Sequence, residues 1–309
     1  MMTGSAARAE LLRQHRDSFT RLLHKVERGD ERAIHRTRVT SRRLRELLPV
    51  LELEPATCAK VLRDLKRATQ ALGRVRELDV TLRLMEGLRT EVEEADASWS
   101  LLVQQLRQAR RTAHGKATRK GHLSVDLRRL GKRLDRLVHD TLPALQRGGK
   151  RWHWALDARV VRRAEALRHA IKEAGPFYLP ERLHDVRIAL KKLRYALELQ
   201  AQAARSQVGP ELRLLKRGQV LLGVLHDRQI LIERLRHAQT TLPASDRRMS
   251  AELDRLIAWL EDDCRGLHAK FVRQRPRLMD ACTRLAPVEA APGTPATHAK
   301  GSRRSVASR

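Results

Sequence analysis

The chain has little material for a sheet. Aromatic residues are only 3% of its 309 positions, and its few Val, Ile and Thr runs never alternate at period two, so strands are not expected as the main element. Cysteine is scarce as well: Cys58, Cys264 and Cys282 are odd in number and form no CxxC pair, which argues against a disulfide framework or a zinc site and for a reducing compartment. No apolar segment follows Met1, and no uncharged apolar run approaches about 18 residues, so neither a signal peptide nor a membrane span is expected. These absences lead to the expectation of a cytoplasmic protein that makes no membrane contact.

Acid is in short supply. Against 64 Lys and Arg stand 36 Asp and Glu, a formal charge of +28, and such a field repels itself unless a polyanion is near. Arg far outnumbers Lys. Coding bias can account for that ratio but not for the net charge, and the planar guanidinium holds pairs of phosphate oxygens better than an ammonium does.

What the chain does contain is Leu, Ala, Arg and Glu throughout, an all-α composition, and an internal repeat. The stretch Ile34–Leu48 returns at Leu183–Leu197, offset by 149 residues: His35/His184, Arg38/Arg187, Leu44/Leu193, Arg45/Arg194 and Leu48/Leu197 are identical, and Val39/Ile188, Arg42/Lys191 and Arg43/Lys192 keep their character. On a helix at about 100° per residue, His35, Arg38, Arg42 and Arg45 fall within roughly an 80° arc, a cationic row about 15 Å long. Val39, Leu44, Leu47, Val50 and Leu51 are expected on a separate, buried arc. His184, Arg187, Lys191 and Arg194 repeat the row, so the two rows are expected to act on one ligand. A second block, Lys66–Val80, returns as Lys216–Ile230, with Lys66/Lys216, Arg67/Arg217, Leu72/Leu222, Gly73/Gly223 and Glu77/Asp227 in register.

In chain order the periodicity predicts helices over residues 5–28, 31–53, 56–88, 92–113, 122–147, 154–173, the second stripe helix after Pro180, 210–239 and 247–279. Pro49 should kink or shorten the second of these. A Gly within a helix costs about 1 kcal/mol relative to Ala, so the paired Gly73 and Gly223 have a purpose: either close helix approach, or room for a ligand at the backbone. The run Asp126–Arg136 is Leu- and Arg-striped, which a solvated face explains. Gly148-Gly149 marks the boundary between halves, and the Pro/Gly/Ala/Ser-rich segment 286–309 has too little apolar surface to order itself.

The two stripes, with Leu72-Gly-Arg-Val-Arg-Glu-Leu-Asp-Val80, resemble the CHAD family, the conserved histidine α-helical domain, over about residues 6–285. The resemblance implies two tandem four-helix-type bundles, 6–148 and 152–285, related by an internal pseudo-twofold, with the stripes facing a central basic cavity. It also implies binding of inorganic polyphosphate and association with polyphosphate granules. Carried over by position, the polyphosphate ligands are His35, Arg38, Arg42, Arg45 and Lys66, then His184, Arg187, Lys191, Arg194 and Lys216. The second block departs at His226, where the first half has Arg76, and at Gln229-Ile230. Many relatives carry an N-terminal triphosphate-tunnel domain. With the first stripe beginning at residue 34 no such domain is expected, so its activity is not inherited.

The residues speak to two other classes of function. Nonspecific RNA or DNA binding is allowed by charge, yet nine aromatic residues give few stacking surfaces and no RNP-like strand or zinc-finger spacing occurs. An enzyme or metalloprotein is disfavoured because each stripe has a single His and no carboxylate to complete a metal set, so no catalytic residue, metal or cofactor is expected. His35 and His184 stand as the only stripe members able to change charge near neutral pH. Each either contacts phosphate or orients its helix.

Overall fold

The structure, a computed structural model, describes residues 4–88, 96–118, 127–147, 151–204, 209–240 and 247–286. Among these the chain is helices joined by short turns, without a strand: α1 Gly4–Thr20, α2 Leu23–Glu27, α3 Glu31–Leu47, α4 Pro55–Leu88, α5 Asp96–Thr118, α6 Leu127–Arg147, α7 Arg151–Ala174, α8 Pro180–Ala204, α9 Pro210–Thr240 and α10 Arg247–Leu285. The expected boundary at Gly148-Gly149, Asp126 of the basic run and the tail from residue 287 lie outside the described residues.

Local chemistry sets the helix ends that matter for the stripes. The single helix expected over 5–28 is divided at Arg21-Leu22, where the Leu22 amide donates to the Phe19 carbonyl at 3.2 Å and the turn tightens to three residues. Gly29 then takes φ +79°, the left-handed conformation that closes α2. Asp30 caps α3 by accepting from the Ala33 amide at 2.6 Å, a bond that typically contributes about 1 kcal/mol. At the other end Pro49 lacks the amide α3 would need, and Leu48–Val50 tightens into a 3-10 turn, as the sequence predicted. α8 and α9 both open on Pro followed by Glu, the preference of a first helical turn for a preset φ and a negative charge.

The apolar faces merge into three cores. One gathers α1, α3, α4 and α6 around Leu12, Phe19, Ile34, Leu44, Leu65 and Leu134, and takes in Trp152 and Leu156 of α7 and Leu199 of α8. A second joins α7 to α10 through Leu167, Leu190, Leu193, Leu215 and Phe271. The third unites Leu78 and Met85 of α4 and Trp99 of α5 with Leu231 and Leu235 of α9 and Leu260 of α10. Each fully buried side chain of this kind contributes about 1.5–3 kcal/mol, so α3 is held beside α8, and α4 beside α9, by strong packing at both ends. The space between these four helices is not filled.

Candidate functional site

That space is a cavity of about 710 Å³. α3 supplies His35, Arg38, Val39, Arg42, Arg45 and Glu46; α8 supplies His184, Arg187, Ile188, Lys191, Lys192, Arg194 and Tyr195. α4 adds Thr69, Gly73, Arg76, Glu77, Val80 and Thr81, and α9 adds Gln219, Gly223, His226, Asp227 and Ile230. The lining positions pair at the spacings of the two sequence repeats, Glu46 with Tyr195, Thr69 with Gln219, Arg76 with His226, Val80 with Ile230 and so on. Thr81 and Lys192 alone lack a counterpart in the lining.

Eight of the ten predicted site residues therefore share one chamber. Lys66 and Lys216 do not: both are exposed and lie outside the lining. For Lys66 the reason is visible at the α3–α4 seam, where the Ser41 hydroxyl donates to the Leu65 carbonyl at 2.9 Å and meets the Thr69 hydroxyl at 2.7 Å, closing the helices together before the cavity begins at Thr69. Val39 also departs from expectation, facing the cavity instead of the core; it stands only about 40° around the helix from His35. Arg76, His226 and Lys192 were not among the predicted ligands. The first two follow the paired glycines by three residues, one helical turn, and that spacing was the signal.

The glycines turn out to do different things. A Cβ on Gly73 would meet Nη1 of Arg38 at 3.0 Å, because the Arg38 guanidinium lies across that helix and donates to the Thr69 carbonyl. A Cβ on Gly223 would meet nothing within 4 Å, so this position opens on the cavity. Neither glycine serves close helix approach.

Carboxylates at the wall are largely turned away. Glu46 is held by Arg159 at 2.7 Å and Arg163 at 3.0 Å, both on α7, and Glu77 by Arg234 and, at 3.7 Å, Arg74. Asp227 approaches Arg187 at 4.0 Å. Arg76 pairs with Glu31 at 2.8 Å, and Arg194 pairs with Glu198, donates to Gln219 at 2.6 Å and covers the Tyr195 ring at 4.5 Å. Arg38, Arg42, Arg45, Lys191 and Lys192 have no acidic partner within 4 Å among the described residues.

The consequence is an under-neutralised site. Burial, then the neighbouring cations Arg187 and Arg42, push the Lys191 ammonium down to about 6. Burial and Arg187 push His226 down to about 3, while burial and nearby Arg side chains lower His35 and His184. Arg38 falls to about 10 through burial and Arg42, which leaves it charged at neutral pH. Burial raises Asp227 although Arg187 opposes it. Lys191 thus joins the histidines as a group that changes charge near neutrality, contrary to the expectation that only the histidines would. Depressed bases on α3, α8 and α9 mark a chamber where burial and like charge both disfavour protonation. Among the described residues no three His, Cys, Asp or Glu side chains converge to hold a metal ion, and no helix is long and apolar enough to cross a membrane.

Comparison with known proteins agrees with this fold. The family model for the CHAD domain matches residues 10–236. Among solved structures, the CHAD domain of the plant Ricinus communis superposes with a TM-score of 0.58 at 22% identity, covering 92% of this chain and 91% of its own. PptA from Streptomyces chartreusis superposes with a TM-score of 0.51 at 19% identity, covering 92% of this chain and 99% of its own. At these identities the likeness is one of fold. No curated protein matches the chain.

Proposed function

The chain belongs to the CHAD domain family, and from that premise we propose that it binds inorganic polyphosphate in the cavity between α3, α4, α8 and α9, as a binder and not as an enzyme. One observation carries the reading: cationic rows 149 residues apart in sequence face one chamber in which Glu46 and Glu77 are paired with Arg159, Arg163 and Arg234 outside the lining. A flexible, base-free polyanion offers only charge and oxygen geometry, which permanent cations on rigid helices match. In this reading the two halves are copies about an approximate twofold, each giving half a site to one continuous chain, and the protein resides at polyphosphate granules.

The test is calorimetric titration with tripolyphosphate and with long-chain polyphosphate. The parent should prefer the long chain. Arg38→Ala with Arg42→Ala, or Arg187→Ala with Lys191→Ala, should each remove most of that affinity through lost effective concentration, and chain length should be unchanged after incubation. Full affinity in either double variant with its helical content intact would defeat the shared site. Displacement by RNA of equal phosphate content would replace it with nonspecific nucleic-acid binding, and shortening of the polymer would replace it with catalysis.

A further inference from the structure

Lys191 is placed unlike the exposed lysines Lys66 and Lys216. It lines the cavity, with no acidic partner within 4 Å among the described residues. Arg38 and Arg42 of α3 and Arg187 of its own helix act on its amine as like charges. From α9 come His226 and Asp227, the latter already 4.0 Å from Arg187. The arrangement holds an amine beside guanidinium groups of a geometry suited to phosphate, in a chamber of about 710 Å³, roomy for a small molecule.

We propose that Lys191 is a modification site, acylated by small acyl phosphates whose phosphate end is held by Arg38, Arg42 and Arg187. The Nζ lone pair attacks the acyl carbon and a C–N bond forms. The carbonyl C–O bond to phosphorus breaks, inorganic phosphate departs with that electron pair, and the proton lost by nitrogen ends on the departing phosphate. No oxidant or further reactant is needed. A cavity that lowers a lysine among cations is the arrangement that activates an amine as a nucleophile. The product amide cannot take up a proton, so acylation denies an arriving anion the cation that Lys191 would otherwise become. That consequence for polyphosphate rests on the proposed function, whereas the reactivity rests on the buried amine and the guanidinium groups that share its cavity.

The magnitude follows from two opposing effects. With Lys191 lowered to about 6, its unprotonated fraction at about pH 7.5 exceeds that of an ordinary lysine by roughly a thousandfold. The weaker nucleophilicity of a less basic amine, taken with a slope like that of thiols, returns roughly a hundredfold. About tenfold remains before any gain from positioning the phosphate.

The experiment uses the full chain, acetyl phosphate at about pH 7.5, and mass spectrometry of each lysine against time. Lys191 should acetylate about tenfold or more faster than Lys66 and Lys216, inorganic phosphate should suppress Lys191 alone, and acetic anhydride, which carries no phosphate, should show a smaller preference. Equal rates at the three lysines would overturn the proposal, as would equal suppression at all three or an anhydride preference as large as that of acetyl phosphate. Direct titration with polyphosphate separates the two readings: selective acetylation without polyphosphate binding rejects the function and keeps this site, and polyphosphate binding without selective acetylation does the reverse.

Discussion

Residues in the cavity titrate in a direction that fixes how binding answers to pH. In the free protein Lys191, His184, His35 and His226 all bind protons less readily than usual, and an arriving anion reverses the effect of the surrounding cations, so binding takes up protons. Affinity for polyphosphate should therefore rise as pH falls from about 8 to about 6. Titrations in buffers of different ionisation enthalpy will count the protons; Lys191→Arg should remove much of the uptake, and His35→Gln with His184→Gln a smaller part. An uptake unchanged by both variants would place the proton elsewhere. The same residue governs stability with a sign of its own. An unfolded lysine titrates near its ordinary value and the folded one at about 6, so the unfolded state binds more protons in between and the free protein gains stability as pH rises through that window. Lys191→Met should accordingly raise Tm by several degrees, most at low pH; a lowered Tm would show that the amine has an unseen partner. The histidines stand out in the sequence because their side chain reports pH directly. Lys191 does not, since its titration depends on burial and on cations brought from another helix.

Helices were legible from periodicity, and their ends from Gly29, Pro49 and the prolines that open α8 and α9. The break between α1 and α2 was not, because it is a single tightened turn at Leu22 with no Gly or Pro beside it to punctuate the sequence. Nor was the failure of Lys66 to reach the cavity: it sits on the correct face but before the point where the Ser41–Thr69 seam lets α3 and α4 part. The paired glycines could be seen, whereas their separate roles could not. They predict unequal variants. Gly223→Ala meets open space and should stabilise by about 0.5–1 kcal/mol in denaturant titration. Gly73→Ala strikes the Arg38 guanidinium at 3.0 Å, so it should gain less stability and weaken anion binding. Identical behaviour of the two would deny Arg38 its seat on α4.

At the scale of the molecule, the repeat foretold that two rows meet, but not that Glu46 and Glu77 would be drawn off by Arg159, Arg163 and Arg234, which lie on α7 and α9 with no local signature. The resulting excess of cations should make binding steeply dependent on salt: by analogy with six to ten phosphate contacts on DNA, affinity should fall by about 10³–10⁵ between roughly 50 and 200 mM. A flat response would point to a ligand that is not a polyanion. The cores that hold the chamber open are themselves shared, Trp152 and Leu199 completing the packing of α1, α3, α4 and α6 while α9 and α10 complete that of α4 and α5. Severed genetically and translated as two polypeptides, 4–147 and 151–286, each half would carry a raw apolar face that only the other can cover. Produced together they should reassemble in the cell, and produced singly neither should escape its proteases.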